Sequence, residues 1–437
     1  MWAYRSVFYQ IYPLGFVGAP FVNDHQVINR LQKVQDWIPH FQELNINAII
    51  FNPVFQSKTH GYDGMDYLKI DERLGSNRDF QMLVKALHQA QLKVIVDGVF
   101  NHVGRGFWAF QDVLKNRQLS KYCSWFQLDF QKNTLYNDGF FYEAWENHFE
   151  LVKLNLNNPE VVDYLLGCVK SWIIDFDIDG LCLDVAYSLP VVFMQKLRSF
   201  CTSLKPDFFL FGEIIHGDYS LLMNSQTLHS VTNYQAYKGL WSSFNSLNFF
   251  EIAHTFKEHY LEKYPNTHEI NFLDNHDVNR IASQLTNPKH LQLAYGLLFA
   301  MVGMPCLYYG SEWGAKGIKN QDDTSLRPSF TTYQNNELTK FISKLAKIFQ
   351  KYSALNQGGY RLLFLTNRQF IFERYYQDEK LIIAINADEK EFQTDFNPHW
   401  PLAFDLLSQQ SANLNQKLKL SAYSIAYWQQ IKEESNK

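Results

Sequence analysis

"DGLCLDVAYSLP", residues 179 to 190, sets a carboxylate two residues after a cysteine inside an otherwise apolar run. Read as a strand, Cys182 and Asp184 share one face, and Leu181, Leu183 and Val185 share the other. An isolated carboxylate in low dielectric is costly and tends to protonate. Asp184 therefore needs surroundings that compensate its charge, or a task that uses it. Outward from this stretch, similar runs recur. They are "VFYQIYP" (7–13), "INAIIFNPV" (46–54), "KVIVDGVFNH" (93–102), "FFLFGE" (208–213), "SVTNYQ" (230–235), "INFLDNHD" (270–277) and "PCLYYG" (305–310), which makes eight in all. Helical spacing lies between them: Val27, Leu31, Val34, Ile38 and Phe41; Val161, Leu165, Cys168, Val169, Trp172 and Ile173 behind Pro159; and "HLQLAYGLLFAMV" at 290–302. Eight strand–helix alternations, with strands apolar on both faces, predict an α/β fold: a parallel (β/α)8 TIM barrel.

Two stretches break the alternation and set the expected domain limits. Between the third and fourth strands, residues 103–178 far exceed an ordinary crossover. A helix takes about 160–176, and the polar, aromatic remainder, 103–157, is expected to be a small inserted domain over the barrel mouth. After about residue 352 the pattern turns to short alternating runs, "YRLLFLT", "QFIFERYY", "KLIIAINA" and "SAYSIAYWQQ". These predict a C-terminal all-β sandwich. The barrel is thus assigned to 1–102 and 158–352, and the sandwich to 353–437.

With 46% hydrophobic and 19% charged residues, the chain can build a large core and is not disordered. A net charge of −4, with no basic stripe, argues against a nucleic-acid partner. Five cysteines, an odd number with no CxxC pair, suggest neither a disulfide framework nor a zinc site, and fit a reducing compartment. The start, "MWAYRSVFYQIYPLGF", is interrupted by Arg5 and Gln10 and does not read as a signal peptide. No run of about 18 apolar residues predicts a membrane helix. A cytoplasmic protein with no membrane partner is expected.

Barrels of this kind carry their active sites at the C-terminal ends of the strands. The third run ends in Asp97, Asn101 and His102, the fourth carries Asp184, the fifth ends in Glu213, and the seventh ends in Asn275, His276 and Asp277. Any one of these reads equally well as a loop carboxylate or a satisfied core group. Carboxylates and two histidines gathered at one mouth point instead to glycoside chemistry, where one group gives a proton to the leaving oxygen and another attacks or flanks the anomeric carbon. A metal cluster is the rival, but neither a His-x-x-x-His pair nor cysteine ligands accompany these residues.

The motifs resemble those of the α-amylase family of α-glucan-active glycoside hydrolases. "DGVFNHVG" (97–104), "DGLCLDVA" (179–186), "FGEIIH" (211–216) and "FLDNHD" (272–277) look like its four ordered signature regions. "GYDGMDY" (61–67) and "GMPCLYYGSEWG" (303–314) also match. The resemblance implies a role for each matching residue. Asp184 would be the nucleophile that forms a covalent glucosyl intermediate, Glu213 the general acid/base, and Asp277 the third carboxylate, gripping the sugar's 2- and 3-hydroxyls. His102 and His276 would bind hydroxyls of the same sugar, and Tyr62 would lie beneath it. Asp323 and Arg327 would hold the next glucose outward. No cofactor is implied. Asn101 matches a calcium ligand of some members, with its partners unassigned.

The chain departs from the family at two places. Cys182 stands where the family has an arginine facing the nucleophile. Without that cation Asp184 is expected to have a raised pKa and a cavity beside it. Three outcomes follow: another cation reaches in, with Arg105 and Arg280 as candidates; the enzyme works with an acid-shifted or slower profile; or the site binds glucan without cleaving it. The second departure is Ile215, where relatives often carry tryptophan. The inserted stretch "YEAWENHFELVKLNLNNPEVVDYL" (142–165) is similar to the intracellular cyclomaltodextrinase, neopullulanase and maltogenic amylase branch. That branch usually has an additional N-terminal β-domain; this sequence begins at strand one, so dimerisation through that domain is not expected. The resemblance implies retaining hydrolysis of α-1,4 bonds in maltodextrins, cyclodextrins or related oligosaccharides. Linkage choice, transglycosylation and oligomeric state stay open. The alternative from another class is a catalytically silent α-glucan-binding protein.

Overall fold

The computed structural model describes residues 1–265, 267–320 and 323–431; the last six residues of the expected C-terminal region lie outside it. Eight parallel strands form the central sheet: β1 (Phe8–Ile11), β2 (Ala48–Phe51), β3 (Lys93–Gly98), β4 (Gly180–Leu183), β5 (Phe209–Gly212), β6 (Ser230–Val231), β7 (Ile270–Phe272) and β8 (Met304–Tyr308). Their spatial order is β6-β5-β4-β3-β2-β1-β8-β7. The ring closes between β6 and β7 through a single parallel bridge, Thr232 to Ile270, where Asn233 N–H donates to the Ile270 carbonyl at 2.9 Å. Seven fall within the runs read from sequence, and β8 begins one residue before its run, at Met304. Inward side chains such as Phe8, Ile50, Ile95, Phe211 and Phe272 fill the barrel, and Cys182 lies among them.

The helix Pro159–Phe176 shows why the intervening segments fold as they do. Asn158 caps it by accepting from Glu160 N–H, Pro159 opens it, and Asp177 ends it in the left-handed conformation. Its buried stripe includes Leu165, Val169 and Trp172. The Trp172 ring stacks on Phe55 at 4.2 Å and its Nε1 donates to the Tyr67 carbonyl at 2.6 Å, so truncation to alanine costs roughly 3–5 kcal/mol. The helix expected over Val27–Phe41 is different. It forms as two short pieces, Gln32–Asp36 and Ile38–Glu43. Pro39 cannot donate to the carbonyl one turn back, which breaks the helix at Trp37. Val27 is 57% exposed, and the chain there pairs its backbone elsewhere, with Arg30 and Leu31 N–H both donating to the Leu74 carbonyl.

Between β3 and β4 lie a helix, Trp108–Asn116, and a three-stranded antiparallel sheet of His102–Gly104, His148–Lys153 and Ala144–Trp145. His102 thus belongs to this sheet, opposite Lys153, and not to the barrel strand that ends at Gly98. The C-terminal region is a six-stranded antiparallel sheet with a two-stranded ribbon, Phe392–Gln393 and Lys419–Leu420, beside it. Alternation divides its faces. Phe370, Phe372 and Tyr427 join the main core, while Ile371, Trp400 and Trp428 pack with Leu418 and Leu420 in a separate cluster. The buried guanidinium of Arg374 ties this sheet to the barrel by donating to the carbonyls of Ala300, Met301, Leu355 and Gly358. Among the described residues no helix is long and apolar enough to cross a membrane.

Candidate active site

Asp184 follows directly on β4, and Glu213 follows directly on β5. Two backbone bonds hold these strand ends together: Glu213 N–H donates to the Leu183 carbonyl at 2.9 Å, and Ala186 N–H donates to the Glu213 carbonyl at 3.0 Å. The approach requires glycine at 212, since a Cβ there would stand 2.5 Å from that of Ala186. The chain then turns sharply, with Val185 in the left-handed region at φ 41°. For a β-branched residue this costs of the order of 1–3 kcal/mol and marks a strained functional position.

One pocket is lined by Asp184, Glu213, Asp97, Cys182, Tyr62 and His276, with Gln10, Asn52 and Asn275 also on its wall. Asp277 adjoins it, its Oδ2 lying 3.0 Å from His276 Nε2. Tyr62 Oη is 2.6 Å from the same nitrogen, and the two rings are stacked. Arg327 donates to Asp277 Oδ1 at 2.8 Å and to Asp323 Oδ2 at 3.4 Å, so its tighter partner is Asp277. His102 Nε2 stands 3.9 Å from Asp184 Oδ2. This approach is no ion pair, because burial pushes His102 down to about 3 and the ring stays neutral. Both atoms are buried without a hydrogen-bond partner, so each has bonding capacity left for a ligand hydroxyl.

The carboxylates separate by environment. Burial raises Asp184 well above the usual carboxylate range, and the negative neighbours Glu213, Asp97 and Asp277 add to the shift. Burial, Asp277 and Asp97 push Glu213 up to about 8, against a hydrogen bond from Tyr234 Oη at 3.2 Å. Asp97 rises to about 7 through burial, opposed by donors from Asn52, Cys182 and Tyr62. Asp277 goes the other way. Burial is its largest single influence and raises it, but His276, Arg327 and Lys319 together pull it below its ordinary value. Its side chain is 32% exposed, so solvent screens part of that pull.

Neither cation suggested by sequence reaches Asp184. Arg105 pairs with Asp138 at 2.7 Å and lies over Tyr136. Arg280 is buried against Tyr308 and donates to backbone and to Ser311. Among the described residues no lysine or arginine lines the pocket. Cys182 pairs in register with Asp97, and burial holds its thiol well above its ordinary pKa, so it stays protonated. The expected acid shift has the wrong sign: a nucleophile with a raised pKa moves the acidic limb of activity upward. Ile215 is 46% exposed and offers only an aliphatic surface beyond Glu213. Asn101 turns its amide to His102 Nδ1 at 3.2 Å, and among the described residues no three His, Cys, Asp or Glu converge to hold a metal.

Reading the sequence missed Gln10, Asn52, Tyr234, Lys319 and Trp145. Asn275 Nδ2 donates to Tyr234 Oη at 2.7 Å, which fixes the hydroxyl that meets Glu213. Lys319 Nζ donates to the Asp277 carbonyl at 3.0 Å. The Trp145 ring lies 5.8 Å from His102. Asn52 and Gln10 were legible in principle, as polar residues on or just past an apolar barrel strand.

Comparison with known proteins agrees with this geometry. The family description "Alpha amylase, catalytic domain" matches residues 10–353. The intracellular maltogenic amylase of Bacillus subtilis (strain 168) is 31% identical over 410 residues, covering 87% of this chain and 68% of its own. A cyclomaltodextrinase from Thermoanaerobacter pseudethanolicus is 31% identical over 412 residues, covering 89% and 71%. The solved structure of a Nostoc punctiforme debranching enzyme soaked with acarbose is 28% identical, with a TM-score of 0.84 over 98% of both chains. A family match over most of the chain, on a barrel whose strand ends bring these carboxylates together, makes the protein a member of the α-amylase family of glycoside hydrolases.

Proposed function

We propose that the protein hydrolyses α-1,4-glucosidic bonds in maltodextrins, cyclodextrins and related oligosaccharides with retention of configuration. The observation that carries this reading is geometric: Asp184 and Glu213 leave the adjacent strands β4 and β5, whose ends are held together by backbone hydrogen bonds, and line one pocket with Tyr62 and His276. In the first step Asp184 attacks the anomeric carbon as Glu213 gives its proton to the leaving glycosidic oxygen, and that carbon–oxygen bond breaks. In the second, Glu213 takes a proton from water, the water oxygen bonds to the anomeric carbon, and Asp184 leaves. Interception by a sugar hydroxyl instead of water gives transglycosylation. Asp277 and the neutral His102 and His276 bind hydroxyls of the reacting ring, Tyr62 packs beneath it, and Asp323 with Arg327 holds the next glucose. The division at residues 103, 157 and 352 into barrel, insert and C-terminal unit belongs to the same reading, as does a cytoplasmic location, which the name of the Bacillus relative supports.

Proton NMR of maltotriose hydrolysis tests the proposal. Retention requires the α-anomer to appear before mutarotation, and first appearance of the β-anomer, or no product from maltotriose or cyclodextrins between about pH 4 and 8, overturns it. The second reading, a silent glucan-binding protein, is favoured by one observation: among the described residues no lysine or arginine lines the pocket that holds Asp184. It requires calorimetric binding without turnover, with Glu213→Gln changing affinity alone.

A further inference from the structure

Arg280 is fully buried, yet it makes no contact with the pocket carboxylates. Its Nη1 donates to the Tyr309 carbonyl at 2.6 Å and to Ser311 Oγ at 3.0 Å, just past β8. Its Nη2 donates to the Leu326 carbonyl at 2.9 Å. Leu326 immediately precedes Arg327, and Arg327 reaches back to Asp277 Oδ1 and, through Nε at 3.1 Å, to the His276 carbonyl. Asp277 lies three residues before Arg280 in the chain. A closed circuit results: Asp277, backbone to Arg280, guanidinium to Leu326, peptide to Arg327, guanidinium to Asp277.

The circuit is built tightly. Arg280 lies over the Tyr308 ring at 4.1 Å, and Tyr308 Oη donates to the same Leu326 carbonyl at 3.0 Å. Arg280 N–H donates to the Gly317 carbonyl at 3.0 Å. A Cβ on Gly317 would stand 2.3 Å from the Ser325 carbonyl and 3.1 Å from Arg280 Cγ, so the segment carrying Arg327 wraps directly onto this side chain. A planar fork that bonds two segments at once is what arginine offers and lysine does not.

We infer that Arg280 is a positioning residue: it sets the register of the segment 323–327 so that Arg327 meets Asp277, and through that contact it tunes sugar binding. The inference rests on the reading of Asp277 and Arg327 as sugar-binding groups. Displacement of a binding group by about 1 Å is enough for losses up to about a hundredfold.

The test compares Arg280→Lys, Arg327→Met and the double variant on maltotriose. Arg280→Lys is expected to raise KM in the same proportion to kcat as Arg327→Met does, with kcat/KM down about ten- to hundredfold. In the Arg327→Met background it is expected to add less than about twofold, because the group it positions is gone. A loss confined to kcat, as from a smaller folded fraction, overturns the inference, and so do losses that multiply in the double variant. A crystal structure of Arg280→Lys separates this failure from failure of the functional reading. Arg327 still bonded to Asp277 there overturns the positioning role whatever the substrate proves to be, and Arg327 withdrawn from Asp277 supports it even in a protein without turnover.

Discussion

Asp277 and Asp184 border one pocket, a few residues past the ends of β7 and β4, yet they are surrounded in opposite ways. Asp277 has Arg327, His276 and Lys319 around it and stays partly open to solvent. Asp184 is 7% exposed and faces Glu213, Asp97, a neutral imidazole and the wall that carries Cys182. The difference teaches that burial alone does not decide a carboxylate's charge in this barrel. Burial is the leading influence on both, and the presence or absence of cations reverses the outcome.

The strongest way to break the comparison is to remove the group between them. Under the proposed mechanism Glu213→Gln removes the proton donor, and kcat on maltotriose is expected to fall roughly a hundred- to ten-thousandfold. Next, Arg327→Met makes the Asp277 side resemble the Asp184 side. The Asp277 pKa then rises, the acidic limb of kcat/KM moves up, and kcat/KM drops about ten- to hundredfold, the worth of a charge-assisted hydrogen bond of ~1.5–3 kcal/mol. The reverse experiment is Cys182→Arg, which supplies Asp184 with a cation. Its pKa falls, so the acidic limb is expected to move down by about 1–3 units, with neutral activity rising and overpacking costing about 1–3 kcal/mol of stability. An unmoved limb in this variant would show that Asp184 is charged by some other route.

The smallest effect is on stability. Glu213 titrates near 8 when folded and near ~4.3 when unfolded, so the folded state binds the extra proton. The favourable term is complete below ~4.3 and fades as pH climbs to about 8. Thermal melts of Glu213→Gln are therefore expected to lose part of the Tm decline that the parent shows between about pH 5 and 8.

Much of this site is legible in the sequence, because each pocket carboxylate ends an apolar run whose burial marks it as a barrel strand. Asp184, Glu213 and His276 stand out against Leu183, Phe211 and Phe272 for that reason. The Cys182–Asp184 face was equally legible, since strand alternation is rigid. What resisted reading was direction. Arg105 and Arg280 are close in sequence to β3 and β7, but a long side chain leaves its strand end along whichever path offers acceptors. Asp138 took one and the Leu326 carbonyl the other. Single polar residues such as Gln10 and Tyr234 carry no pattern of their own. Val27 kept helical spacing yet lost its helix to backbone partners more than forty positions away, which no local window contains.

The bridge from Thr232 to Ile270 has a mechanical consequence. It is the thinnest seam in the ring of staves, one link where the other neighbouring staves share ladders of two to four. Glu213 follows β5, one strand before the seam, and Asp277 follows β7, on its far side. A sugar held by both side chains would therefore span the seam and add a link across it.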